Sequence, residues 1–554
     1  MWLKNGNNLR IEAQMGRSST ARLTAFLIVL IAILGTAPIL KGAFYLGKHE
    51  GDTMHLAELV LRMADGQWPH LDFMTPIGVL ALAPMAIFVK AGAGLGHAIF
   101  YSQILVAAVL LLPVLRVATS RLTGIWPYAY GGFVMLLCLA LVHGEAQSDI
   151  SISMHYNRWA WAVSYIIIPL AVLAPHDRPR PWLDGALIGI GLAVLVLTKV
   201  TYVVALAPGI LVALLARRNF CMIVSAFLSG LVIAVVFTAL AGFDFWFAYV
   251  RDLLSVAQGD SRPAPGMSFG SVVAEPIYLG GSLTLIAAVI FLRQAKQSVE
   301  GLALYVLMPG FFYIAYQNWG NDPQWLYLVA LCAFLLRPER GVTNGIGWDL
   351  RDALTYTGVL ALAFGAPSAI NLAFSPWRHL AAETEETVPL LSRLPAHDDI
   401  KMSRARLYTN HIVLPYDRPG EPFEAYHEYA DREGPAMLNG DELADCELTG
   451  GFSAWFELVT DDLEAAGYAG SAVMGTDLFS AYWMFGDFRP VKGGAPWYYS
   501  GTPGIEYADY VAVPLCPTSL SRRASMLEAI NEGGWTLREV RRTALYILTQ
   551  PVGP

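Results

Sequence analysis

The chain has 554 residues, 55% of them hydrophobic and only 15% charged, with a mean hydropathy of +0.46. Soluble domains carry about 25% charged residues, so this composition excludes an ordinary soluble enzyme and points to a bilayer. The net charge of −8 leaves no bulk positive field, and nucleic acid is not expected as a partner.

The first 22 residues are polar and basic, and Lys4, Arg10, Arg17 and Arg22 place this tail in the cytoplasm. No small-residue cleavage site precedes a soluble chain, which argues against a secretory signal. Apolar runs of roughly 16 to 23 residues then cover most of 24–374, near the length that a bilayer core of about 30 Å requires. Basic pairs mark the inward turns: Arg116 and Arg121, Arg178 and Arg180, Arg217 and Arg218, Arg293 and Lys296, Arg337 and Arg340. Walking between them gives about eleven crossings, near 23–42, 77–115, 125–142, 160–175, 183–198, 201–216, 221–240, 276–292, 300–316, 325–336 and 352–373. An odd number puts the C-terminus outside. The stretch 77–115 holds two apolar runs split by "KAGAGLG", and the charge rule leaves open whether it crosses once or twice. The fold class is a polytopic α-helical membrane protein: a tail at 1–22, a membrane module at 23–375 and a C-terminal extracytoplasmic α/β domain at 376–554.

The first outer loop, 43–75, carries "HEGDTMHLAELVLRMADGQWPHLDFMTPIG" from His49 to Gly78. A helix is expected from about Thr53 to Ala64, stopped by Gly66 and barred from continuing by Trp68-Pro69. His55, Glu58, Arg62 and Asp65 fall on one face of it, and Leu56, Leu59, Val60 and Met63 on the other. That pattern describes an amphipathic helix lying in the membrane interface with a solvated, ion-paired polar face. Asp52 reads as its N-cap, Asp72 as a turn residue, and Thr75-Pro76 as the opening of the next membrane helix.

Further polar residues gather on the same side of the membrane. "HGEAQSDISISMHYNRWAW", His143 to Trp161, sets Asp149, His155 and Arg158 between two spans. An ordinary polar loop explains it, but an Arg fork also suits bidentate binding of phosphate. Lys199 stands at an outward helix end, where snorkelling accounts for it and a second phosphate contact is the functional alternative. "YQNWGNDPQWLY", Tyr316 to Tyr327, supplies Asn318, Asn321 and Asp322, suited to a sugar or to a capped turn. "FDFWFAYVR", Phe243 to Arg251, has the look of another interfacial helix. Phosphate loops of the GxxxxGK[ST] type, HExxH, CxxC and GxSxG are absent from the sequence. Asp52 and Asp149 offer a divalent cation a place without requiring one.

Beyond Pro376 charge becomes frequent. "FSAWFELVTDDLEAAG" is expected as a helix ended by glycine, "SAVMGTD" and "ADYVAVPLC" as buried strands, "SLSRRASMLEAINEGG" as a Ser-capped helix, and "TLREV" with "ALYILTQ" as a final strand pair. Outside the cytoplasm, Cys446 and Cys516 are free to pair.

Two stretches resemble the GT-C superfamily of integral-membrane glycosyltransferases, in the manner of protein mannosyltransferases and aminoarabinose transferases. One is "E-G-D-x-x-x-x-A-x-x-x-x-x-x-x-x-G-x-x-P-x-x-D-F-x-x-P", Glu50 to Pro76; the other is "GIGLAVLVLTKVTYVVALAPGILVALLARR", Gly189 to Arg218. The resemblance implies an inverting transferase in a bacterial inner membrane. It would take a polyprenyl-phosphate sugar donor and a cell-envelope glycan, lipid or protein as acceptor, with membrane lipids around it. It implies that Asp52, or Glu50 beside it, is the general base. Asp72, His55, Asp149, His155, Arg158, Lys199, Asn318, Asn321 and Asp322 are the candidate substrate-binding residues. Two other classes stay open: a transporter or flippase of a lipid-linked or polar solute, and a non-catalytic membrane subunit.

Overall fold

The computed structural model describes residues 3–143, 147–259, 268–317, 322–429 and 434–554, with side chains from position 19 onward. The membrane module is built from helices α1 (Leu3–Leu40), α3 (Ala83–Lys90), α4 (Leu95–Arg121), α5 (Trp126–Leu139), α6 (His155–Val172), α7 (Pro181–Thr198), α8 (Val200–Ala216), α9 (Phe220–Ala241), α12 (Pro276–Gln294), α13 (Ser298–Gln317), α14 (Leu326–Leu335) and α15 (Leu350–Leu380). Strand β1 (Phe44–Leu46) and helix α2 (Glu50–Ala64) lie between α1 and α3, and α10 (Asp244–Gln258) and α11 (Phe269–Ala274) follow α9. Among the described residues, seven helices are long and apolar enough to cross a membrane: 19–40 within α1, then α4, α7, α9, α12, α13 and α15. Helices α5, α8 and α14 are apolar but shorter.

The split in 77–115 has a structural cause. Helix α3 is only eight residues, about 12 Å of rise, too short to cross. Gly92, at φ +95°, turns the chain into α4, which has 27 residues. One helix of this stretch therefore has the length of a span. Nor does Thr75-Pro76 open a helix. The Thr75 hydroxyl accepts from the Ile77 amide at 3.2 Å, and the next α-helix starts at Ala83.

Helix α6 is the buried centre of the bundle, with nearly every residue from His155 to Val172 enclosed. Helices α7 and α9 approach closely because small residues face the contact. A Cβ at Gly189 would lie 2.0 Å from the Ala226 carbonyl oxygen, and one at Gly185 2.5 Å from that of Met222. Close backbone approach through small residues is how helices gain packing when no hydrophobic drive separates them from lipid.

The C-terminal region contains β2 (Thr387–Pro389), β3 (Ile400–Ser403), α16 (Arg404–Tyr408), β4 (His411–Val413), β5 (Met437–Leu438), β6 (Asp441–Glu442), β7 (Glu447–Gly450), α17 (Phe452–Ala465), β8 (Val473–Gly475), α18 (Tyr482–Phe485), β9 (Tyr510–Pro514), α19 (Leu520–Glu532), β10 (Thr536–Arg542) and β11 (Tyr546–Val552). Its main sheet has the order β10-β11-β9-β8, with only β8 and β9 parallel. The expected final strand pair, both expected buried strands and the Ser-capped helix are all present, with the Ser519 side chain accepting from the Arg522 amide. Cys446 and Cys516 form a disulfide across 70 residues of sequence.

A second sheet, β1-β3-β2, crosses between the two halves of the chain. Strand β1 pairs in parallel with β3 in the register Phe44–Ile400, Tyr45–Lys401 and Leu46–Met402. One continuous core joins Leu59, Val60 and Phe100 to Phe456, Phe485 and Tyr546. The C-terminal region is thus seated on the segment between α1 and α3, and α2 packs against it.

This placement corrects the solvated polar face expected for α2. His55, Glu58 and Arg62 are 7%, 2% and 2% exposed, and only Asp65 of the four reaches solvent. Arg62 donates to the Val491 carbonyl at 2.8 Å and to Gln67 Oε1 at 2.8 Å, with its guanidinium 4.8 Å from the Phe73 ring centre. The polar stripe is a docking face for protein, which a sequence pattern cannot tell from one for water.

Gly189→Leu is expected to force α7 and α9 apart and cost about 2 kcal/mol, as overpacking typically does. A lowered thermal midpoint of the purified full chain in detergent would register it; an unchanged midpoint would refute the close contact. Cys446→Ser is expected to weaken the C-terminal region by about 4 kcal/mol if loop-closure entropy governs a crosslink of this span. Denaturant unfolding with and without reductant checks this.

Candidate functional site

The turn that leads from β1 into α2 is held at each successive residue by a different part of the molecule. The amides of Gly47 and Lys48 donate to the Ile150 carbonyl at 2.9 and 3.4 Å. Lys48 Nζ donates to Gln147 Oε1 at 2.7 Å, and His49 Nδ1 lies 2.9 Å from Ser151 Oγ. Glu50 Oε2 accepts from Arg406 Nε of α16 at 2.9 Å. Gly51 lies under the Phe479 ring, where a Cβ would come within 2.7 Å of Cζ. Asp52 Oδ2 accepts from Ser153 Oγ at 2.8 Å. The helix is capped by His49 in the left-handed region, φ +67°, not by Asp52. For a residue other than glycine that conformation is strained, and it persists only where the surroundings fix it. Asp52 sits inside the first helical turn, its carboxylate held by the Ser153 hydroxyl.

Beside this turn lies His143. The His143 ring centre is 5.2 Å from that of His49. Burial, with His49, Arg158, Lys48 and Lys199 adding repulsion, pushes the His143 imidazole down to about 3, so it is neutral. His49 is lowered too, by burial, with Asp52 and Glu50 opposing the shift and Lys48 and Arg406 adding to it. Lys48, Glu50, Asp52 and Arg406 thus act on His49, and Lys48, Arg158 and Lys199 on His143.

Arg158 carries the sharpest signal. It is 2% exposed, on the first turns of α6, and its Nη1 donates to the Ala140 carbonyl. Its Nε and Nη2 find no hydrogen-bond partner among the described residues. Burying a guanidinium with two nitrogens unmet is costly unless an anion completes the site. Lys199 joins α7 to α8 in extended conformation, its Nζ 4.8 Å over the Tyr156 ring. Tyr202 secures the same corner, donating from its hydroxyl to the Asn157 carbonyl at 3.2 Å.

The other expected site residues go elsewhere. Asp72 closes its own turn, with Oδ2 accepting from the Trp68 amide at 2.6 Å and its carbonyl accepting from Gly493 at 2.8 Å. His55 is packed edge-on against Trp497, ring centres 5.2 Å apart. His155 Nε2 bonds the Ala81 carbonyl at 2.9 Å, and its ring lies against Trp159, so it anchors α6 to the 79–81 turn and is not free for phosphate. Asp149 is exposed on the loop before α6 and exerts its charge on Arg378. Asp322 lines a narrow crevice with Trp161 and Tyr202, one turn along α6 from Arg158. Asn318 and Asn321 lie outside the described residues. Among the described residues no group of three His, Cys, Asp or Glu side chains is placed to hold a metal ion, and Asp52 and Asp149 do not form such a group.

Lys48, His49, His143, Ser153 and Arg406 were not among the expected site residues. Lys48 and His49 precede Asp52 directly, and His143 and Ser153 lie within the second outer loop, so their neighbourhood was visible in the sequence. Arg406 had no local signal; its contact with Glu50 spans 356 positions.

No family model matches this chain, and no curated protein or solved structure matches it.

Glu58 gives a pH test of how the C-terminal region is docked. Burial pushes its carboxyl up from 4.5 to about 7, against the pull of Arg62 at 3.5 Å. The folded state holds this proton more tightly than the unfolded chain, so stability falls as the pH rises from 4.5 to about 7 and levels off above. Glu58→Gln is expected to remove that slope. Thermal unfolding of the full chain between these pH values checks it, and a slope unchanged in the variant would refute it.

Proposed function

We propose that the chain is a multi-pass membrane glycosyltransferase that moves a sugar from a polyprenyl-phosphate donor to an acceptor on the outer face of a bacterial inner membrane. The observation that carries this reading is the buried fork of Arg158, whose Nε and Nη2 find no hydrogen-bond partner among the described residues, on the helix that follows the loop of Ser153, the partner of Asp52. A phosphate is the anion whose oxygens match that fork. The resemblance of Glu50–Pro76 and Gly189–Arg218 to GT-C transferases supports the same assignment.

In this reading Asp52 is the general base. Its carboxylate takes the proton of an acceptor hydroxyl as the hydroxyl oxygen attacks the anomeric carbon from the face opposite the phosphate. The bond from that carbon to the phosphate oxygen breaks, and its electron pair leaves with the lipid phosphate. Arg158 and Lys199 meet the charge that grows there, a preorganised electrostatic term. A single displacement inverts the anomeric centre. Glu50 is engaged by Arg406, which favours Asp52 over Glu50 as the base.

The topology follows the eleven-crossing pattern of the basic turns, with the N-terminus in the cytoplasm and the C-terminal region outside. The Cys446–Cys516 disulfide supports an oxidising compartment for that region.

Membranes containing the protein, supplied with a panel of polyprenyl-phosphate sugars, are expected to form a glycosylated product. Asp52→Asn should lower the rate about 10³-fold while the protein still inserts. Arg158→Gln should lower it by about 10²-fold or more. Undiminished transfer by Asp52→Asn would sink the assignment of the base, and absence of transfer from every donor would sink the activity.

A further inference from the structure

Between α16 and β5 the chain makes an excursion that carries large apolar side chains in the open. Strand β4 exposes Ile412 and Val413, and Leu414 follows them. Beyond Pro415 come four exposed rings, Tyr416, Phe423, Tyr426 and Tyr429, the last of them 75% exposed. None of these seven side chains joins a hydrophobic core of the chain. Other exposed apolar residues of the C-terminal region, such as Met437, Leu458 and Tyr507, stand apart in sequence. Single apolar residues are ordinary on a surface, whereas a contiguous group marks an interface.

The four rings form one row. Ring centres lie 5.7 Å apart from Tyr416 to Phe423, 6.1 Å from Phe423 to Tyr426 and 6.5 Å from Tyr426 to Tyr429. Successive planes are tilted by 44°, 47° and 45°, so the row bends and offers no single flat face. Backbone bonds fix it: the Phe423 amide donates to the Tyr416 carbonyl at 3.3 Å, and the Tyr426 amide to the Phe423 carbonyl at 2.8 Å.

Two further properties say what covers this surface. First, β4 is an end strand. Among the described residues its sheet has two members, β4 and β7, and the Leu448 amide of β7 donates onward to the Pro517 carbonyl at 2.8 Å. The open side of this sheet is therefore that of β4, and an exposed apolar end strand is a template for an added strand. Second, the row is rimmed with acid. Asp417, Glu421, Glu424 and Glu428 stand among the rings against a single arginine, Arg418. Arg418 lies 3.3 Å from Glu421, Asp417 lies 3.2 Å from His427 Nδ1, and Glu424 accepts from the Gly420 amide at 2.7 Å. These contacts shape the arm and leave it an excess of negative charge. That charge opposes a second copy of the same arm and an anionic bilayer. A flat sugar chain asks for parallel ring faces, which the tilts do not give. Tilted π faces with carboxylates between them suit ammonium and guanidinium groups.

We propose that β4 and the arm from Tyr416 to Tyr429 dock an extended, basic segment of another protein. The segment adds a strand to β4 through its backbone, and its lysine or arginine side chains lie over the rings between the carboxylates. The arm is rooted directly after α16, the element whose Arg406 holds Glu50 of the charged turn. The proposal does not rest on the glycosyltransferase reading.

The test uses the full chain in phosphatidylcholine nanodiscs and a fluorescent peptide of alternating lysine and threonine, read by anisotropy. Saturable binding that weakens as salt rises is expected, with no binding of the glutamate–threonine counterpart. The double variant Tyr416→Leu, Tyr426→Leu keeps apolar bulk and removes two π faces; it should weaken binding about tenfold. Glu428→Gln should weaken it about threefold. All three positions are exposed, so an unchanged thermal midpoint is expected and separates these losses from unfolding. Hydrogen exchange at the amides of Ile412–Leu414 should slow when the peptide is bound. No binding of the basic peptide, equal binding of the acidic one, or binding undiminished in the double variant would overturn the surface. Unslowed exchange at β4 would overturn the strand addition. Capture of the wild type but not the double variant by phosphatidylglycerol vesicles in place of peptide binding would give the face to a membrane. A dimer lost in the double variant would give it to a second copy of the chain.

Discussion

One short parallel strand pair, Phe44–Leu46 against Ile400–Met402, sets the relation between the two halves of this protein. The charged turn begins two residues beyond β1, and α16 with Arg406 begins directly beyond β3. Fixing these three residue pairs brings Arg406 to Glu50 and Phe479 over Gly51, and so decides where the Asp52 carboxylate stands. Parallel strands need long crossover connections; here the connection is the rest of the membrane module. The pairing joins residues far apart in sequence, such as Phe44 and Ile400, which makes the turn of Asp52 a product of the complete fold.

The same constraint explains the burial of α2. Once the C-terminal region is drawn onto the first outer loop, both faces of α2 are covered. Glu58 and Arg62 must then satisfy each other and the backbone around Val491, because water is no longer available to them. A buried ion pair of this kind adds little stability over an apolar pair, but it fixes which partner surface is accepted. The aromatic ladder of Phe479, Trp497 and Tyr499, with ring centres 4.9 and 6.0 Å apart, completes the seam against His55.

The charge distribution around α6 separates two kinds of cation. Arg116 and Arg121, at the opposite end of the module from the charged turn, are neutralised by Asp184 at 2.8 and 2.7 Å. Arg158, on α6 itself, has among the described residues only a backbone carbonyl, for one of its nitrogens. The first arrangement is structural and self-contained. The second leaves hydrogen-bonding capacity in a place where the fold could have supplied a carboxylate, and this contrast is what gives Arg158 its functional reading.

The sequence by itself determined the membrane character of the chain, the positions of most of its apolar helices, and α17, α19 and strands β8 to β11 of its C-terminal region. These depend on local periodicity and composition, which each segment carries within itself. It also marked the neighbourhood of the site, because acids and cations beside apolar runs stand out wherever they fall. The tertiary structure alone decided which of them meet. It put Asp52 against Ser153, gave Glu50 to Arg406, committed His155 to a backbone carbonyl and turned the polar face of α2 from water to protein. The physical reason is that a polar side chain at a helix surface is equally compatible with solvent, an ion partner or a ligand. Only the groups brought opposite it from distant sequence choose between them.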